Sequence, residues 1–181
     1  AVTNALACNS TVTFLEGETY AFASSVTLPS SARTVLAYGA TLTSGTTLAN
    51  GIFYQPTNGV LFVLKGATFT GSSIGYNRYN AGSVPDNTEY FEFEISDCRF
   101  LQASVYGIAL YGSREGIIDA CYFENGLGIA SGFAVNTEIR NCIWKNTTYC
   151  VNEGRGNMPT GSTPAIVGSE GTKIIGGTAI G

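Results

Sequence analysis

Hydrophobic residues in this chain recur in a short unit, not at helical spacing. The unit reads aliphatic-x-x-Cys-x-aromatic-x-amide. It occurs as Ile95, Cys98, Phe100 and Gln102, as Ile118, Cys121, Phe123 and Asn125, and as Ile139, Cys142, Trp144 and Asn146. Each copy is followed by a short loop and a second apolar step: Tyr106 to Ile108, Leu127 to Ile129, and Tyr149 to Val151. The cysteines are spaced 23 and then 21 residues apart. A period in the low twenties that carries β-branched and aromatic residues predicts a solenoid with strand-built rungs. Helical solenoids need longer periods and 3.6-residue patterning, and neither is found.

The repeat extends toward the N-terminus. Gly39 to Thr43 recurs as Gly66 to Thr70. Three columns follow: Ala40, Ala67, Cys98, Cys121 and Cys142; Leu42, Phe69, Phe100, Phe123 and Trp144; and Ala37, Leu64, Ile95, Ile118 and Ile139. In parallel strands, equivalent side chains sit about 4.8 Å apart, so like stacks on like and each column keeps its size class. Cys98 and Phe100 are two apart and share a face, whereas Ile95 and Cys98 are three apart. An odd step between two inward residues places a bend between them. Asp97, Ala120 and Asn141 occupy that bend, where Asx residues tolerate left-handed backbone. Upstream, Thr11 to Phe14, Glu16 to Tyr20 and Ala23 to Leu28 read as short strands between turns. Ala1 to Ser10 carries no clear pattern.

Composition narrows the class. The 181 residues suit one domain, spanning 1–181. Apolar residues make up 44%, enough for a core, while only 12% are charged, about half the usual share. With 23 glycines this is the profile of a turn-rich all-β protein. A net charge of −4 argues against a nucleic-acid partner. No apolar run reaches the roughly 20 residues needed to span a bilayer. The chain has no histidine and no CxxC pair, so no metal or other cofactor is expected. Cys98, Cys121 and Cys142 read as a buried thiol ladder or, alternatively, as neighbours joined by a disulfide. Cys8 and Cys150 have no obvious mate. The sequons at Asn9 and Asn146 read as chance occurrences.

The opening coils, from Val12 through Tyr20, Val26 and Leu28 to Leu42, resemble those of the pectate-lyase-like superfamily. They are most similar to its bacteriophage tailspike and capsule-depolymerase branch. The units built on Cys98, Cys121 and Cys142 match that superfamily's rung. The resemblance covers nearly the whole chain, but the matching residues are packing residues. It implies a single-stranded right-handed parallel β-helix of about seven coils. The last partial coil, Ala165 to Gly168 and Lys173 to Gly176, has no polar cap, so a longer polypeptide or a covering partner is expected.

Chemistry must come from groups that face outward. Glu92 and Glu94 flank inward Phe93, and the repeat brings Glu115, Asn136 and Glu138 onto the same face. Glu92, Glu94, Glu115 and Glu138 are therefore the candidate catalytic residues. Carboxylates on adjacent rungs lie about 5 Å apart and on alternate rungs about 10 Å. Retaining and inverting glycosidases use separations near these two values. Stacked like charges also raise one pKa, as a general acid requires. The alternative is a solvated acidic face. Asp119 over Arg140 and Glu124 over Lys145 read as surface ion pairs. Tyr106 and Tyr149, with Leu127 between them, and Tyr76, Tyr79 and Tyr111 nearby are the candidate substrate-binding residues, because exposed rings pack against sugar C–H groups. Their alternative role is packing under loops or against a sister subunit. Insertions at Thr43–Pro56, Gly71–Asn87 and Gly154–Pro164 are further places where function can sit.

The resemblance implies a virion-tail module, extracellular and homotrimeric, that recognises a bacterial surface polysaccharide, with cleavage left open. Any enzymatic activity would be that of a polysaccharide depolymerase, hydrolase or lyase. A free secreted lyase or hydrolase and a structural or adhesive stalk remain as alternatives. Against the free lyase stands the lack of a recognisable Ca²⁺-binding Asp cluster with its catalytic Arg.

Overall fold

A computed structural model describes residues 2–55, 59–78, 91–102, 105–111, 114–132, 135–153 and 172–181. Among them the chain is mostly strand, arranged in three sheets whose neighbouring strands all pair in parallel. The first sheet contains Thr11–Thr13, Arg33–Leu36, Gly59–Lys65, Phe91–Ser96, Arg114–Asp119, Val135–Arg140 and Lys173–Ile175. The second contains Thr19–Ala21, Thr41–Ser44, Thr68–Gly71, Arg99–Phe100, Tyr122–Glu124, Ile143–Lys145 and Thr178–Ile180. The third runs from Val26–Thr27 through Phe53–Tyr54, Tyr76–Arg78, Ile108–Tyr111 and Ile129–Gly132 to Val151–Glu153. The chain visits the sheets in turn and returns to the first, an arrangement consistent with a β-solenoid.

Side chains of like size fill the space between the sheets. The column Leu42, Phe69, Phe100, Phe123, Trp144 is in strand register and buried. Its rings stack nearly parallel: Phe69 on Phe100 at 5.0 Å and 1°, Phe100 on Phe123 at 4.9 Å and 9°, and Phe123 on Trp144 at 6.0 Å and 10°. The rung spacing of about 4.8 Å sets these separations, so each ring covers the next. Beside them Ala40, Ala67, Cys98, Cys121 and Cys142 are buried, and all three cysteines are free thiols. Each of these thiols donates to the carbonyl two residues before it, at 3.3 to 3.4 Å. Burial pushes the Cys121 thiol well above its ordinary pKa. The Cys142 thiol is raised by its hydrogen bond with Cys121 and then by burial. Thiols held protonated in this way are inert packing groups.

One column departs from the expected register. Leu64, Ile95, Ile118 and Ile139 are aligned, but the residue paired with Leu64 is Val35, not Ala37. Gly39 lies four positions after Val35, whereas Gly66 lies two after Leu64, so this corner carries two extra residues. An insertion of two preserves facing, and Ala37 is still buried.

The bend between the first and second sheets is built from left-handed backbone throughout. Gly17, Gly39, Gly66, Asp97, Ala120, Asn141 and Gly176 each precede the second-sheet strand by two residues, with φ between 50° and 78°. Backbone amides run along the stack, as in Gly17 N to Gly39 O and Asp97 N to Asp119 O, both 3.1 Å.

The N-terminal residues, which carry no strand pattern, form a helix at Val2–Cys8. Leu6 on this helix is fully buried in the core. The helix contacts the strands at Thr11–Thr13 and Val26–Thr27, so it lies over the first rung. Its C-terminal carbonyls are capped by a cation. The Arg33 guanidinium donates to the carbonyls of Leu6 and Ala7, and to that of Ala32 at 2.7 Å.

Candidate functional site

The four candidate glutamates come together on the outer face of the first sheet. The ladder pairs Phe93 with Gly116 and Gly116 with Thr137, and it pairs Glu94 with Ile117 and Ile117 with Glu138. Alternation then turns Glu92, Glu94, Glu115 and Glu138 outward. They line a cleft of about 520 Å³ with Leu61, Phe93, Gly116, Ile117 and Asn136.

The strands are irregular at this height. Phe91 pairs with Gly59 and Phe93 with Phe62, so three steps on one strand face two on the next. The extra residue on the Gly59–Lys65 strand is a bulge, a feature that re-aims side chains and deepens the local twist. Glu115 and Asn136 lie between paired neighbours, and both have left-handed backbone at φ 51°. For Glu115, which lacks the short side chain that eases this conformation, the cost is about 1–2 kcal/mol.

Glu94 and Glu138 are each matched by a cation. Lys65 Nζ lies 2.6 Å from Glu94 Oε1. This bond with Glu94 raises the lysine's pKa. Arg140 Nη1 lies 3.7 Å from Glu138 Oε2, while its Nε reaches Asp119 Oδ2 at 3.0 Å. Glu92 has no hydrogen-bond or ion-pair partner among the described residues. The cleft therefore combines an apolar floor, one amide and four carboxylates, of which Glu94 and Glu138 are held by Lys65 and Arg140.

Both surface ion pairs read from the repeat are present: Asp119 with Arg140, and Glu124 with Lys145 at 2.9 Å. Asn141 Nδ2 adds a bond of 3.0 Å to Asp119 Oδ1. The hydrogen bond from Lys145, and after it the one from Tyr122, lowers the Glu124 pKa.

Among the described side chains, no candidate tyrosine lines the cleft. Tyr76 is fully buried, because it is in register between Phe53 and Ile108 in an inward column of the third sheet. Its ring stacks on Phe62 at 5.4 Å and its hydroxyl bonds the Gln55 side chain. Burial pushes its pKa up. As a core residue it is not a surface ring. Tyr106 is half-buried and its hydroxyl accepts from Asn152 Nδ2 at 2.6 Å, while Tyr149 is 46% exposed. Neither lines the acidic cleft. Tyr111 ends its strand opposite Gly132, and its side chain lies outside the described residues, as do Tyr79 and most of the insertions Gly71–Asn87 and Gly154–Pro164.

The repeat places Ile117 beside Glu94, but Leu61 was not anticipated. Leu61 stands three residues before Leu64, as Glu92 does before Ile95, so the repeat itself held that signal. The Lys65–Glu94 contact runs diagonally between rungs, since Lys65 pairs with Ser96, and column alignment does not reveal diagonal partners.

Among the described residues, no three His, Cys, Asp or Glu side chains form a metal-binding group, and no helix is long and apolar enough to cross a membrane. Comparison with protein-family models finds none that matches this chain, and comparison with curated proteins finds no relative.

Proposed function

We propose that the acidic cleft binds a polysaccharide, and that the chain is a tailspike-type module recognising a bacterial surface glycan. The observation that carries this reading is the gathering of Glu92, Glu94, Glu115 and Glu138 around Leu61, Phe93 and Ile117 in one cleft on a stack of paired strands. A sugar chain offers C–H faces to such a floor and hydroxyls to carboxylates and to the Asn136 amide. Open-sided sites of this kind combine apolar area with a few placed polar groups. Glu94 and Glu138, held by Lys65 and Arg140, suit the role of fixed hydrogen-bond acceptors.

Right-handed winding belongs to this reading. Parallel crossover connections are right-handed in about 98% of cases, and sheets of seven, seven and six strands support about seven coils. Homotrimeric assembly and a place on a virion tail rest on the sequence resemblance.

If the reading extends to cleavage, Glu92 and Glu115 supply the acid and the second carboxylate. They stand on adjacent rungs, spaced about 5 Å, near the separation used by retaining glycosidases. One carboxyl donates its proton to the leaving oxygen, and the other attacks or stabilises the sugar cation.

The test is titration of capsule and lipopolysaccharide glycans into the protein by calorimetry, with reducing-sugar or unsaturated-product release followed in parallel. Binding is expected, and it should weaken when Ile117→Arg fills the cleft. Where turnover is seen, Glu92→Gln or Glu115→Gln should lower it by about 10²–10⁴-fold while binding survives. Cleavage that persists in the double substitution moves catalysis elsewhere. Glycan binding unaffected by Ile117→Arg, or no binding at all, overturns the cleft as the site.

A further inference from the structure

We draw no further inference here: the strongest candidate, the cluster of glutamates on the outer face of the first sheet, belongs to the site already described.

Discussion

The ring of Phe93 occupies the space that a side chain at Gly116 would need. A Cβ built on Gly116 would lie 2.1 Å from two atoms of that ring. The two residues are strand partners, so their positions form one inward column in which an aromatic leans over the rung that has no side chain. Phe93 is 2% exposed, its ring centroid is 5.8 Å from that of Tyr76, and it also lines the acidic cleft. Core packing and cleft shape thus meet at one pair. Gly116→Ala forces the ring to move within a filled core, and a loss of about 1–3 kcal/mol is expected from overpacking. Phe93→Leu in the same chain should restore part of it, as coupled neighbours do. Urea melts of the single and double variants measure both. Strict additivity would show that the ring does not fill the Gly116 space.

The aromatic stack gives a larger effect. Phe123 lies between Phe100 and Trp144, with ring contacts on both sides. Phe123→Ala removes both contacts and leaves a cavity, for an expected loss of about 3–5 kcal/mol. Ile143→Ala, an outward position on the next rung that is 39% exposed, serves as the control and should cost far less. Equal melting temperatures for the two variants would refute the stacking.

Left-handed backbone makes a prediction of the opposite sign. Ala120 holds φ 50° at a bend where other rungs carry glycine, Asp or Asn. An L-residue pays about 1–2 kcal/mol there, while glycine costs roughly 0.5–1 kcal/mol in chain entropy. Ala120→Gly should therefore stabilise by up to about 1 kcal/mol, read as a rise in melting temperature. A fall would mean that the Ala120 methyl contributes packing that outweighs the strain.

The Glu124–Lys145 pair predicts a pH dependence. The Glu124 carboxyl is lowered, by Lys145 first and Tyr122 second. A carboxyl with a lower pKa in the folded state adds stability above its unfolded pKa, about 4.3. That stability is lost as pH falls through the folded value. Carbon-detected NMR titration should find Glu124 below the ordinary glutamate range, and Lys145→Ala should move it upward. No movement on that substitution would remove the lysine as the main cause.

Much of the molecule was legible in the sequence because it is made of repeated local relations. A parallel strand placed in register on its neighbour forces like onto like, so the columns ending in Cys142 and Trp144 could be read directly. The odd step from Ile95 to Cys98 required a bend, and Asp97, Ala120 and Asn141 have the left-handed backbone that such a bend uses. The same register placed Asp119 beside Arg140 and Glu124 beside Lys145, and turned the four glutamates to one face.

Tertiary structure alone decided what depends on corners and on diagonal neighbours. Two extra residues before Gly39 put Val35, not Ala37, under Leu64, because corner length has no periodic signature. Tyr76 entered the core because the third-sheet register, set after a loop of irregular length, aligned it with Phe53 and Ile108. The helix at Val2–Cys8 forms where no periodic pattern announced it, with Leu6 buried in the core and Arg33 binding its end. Within the cleft, the sequence determined which carboxylates share a face. Which of them are held by Lys65 and Arg140, and how Phe93 leans across Gly116, depended on side-chain reach between rungs, a distance that only the folded stack defines.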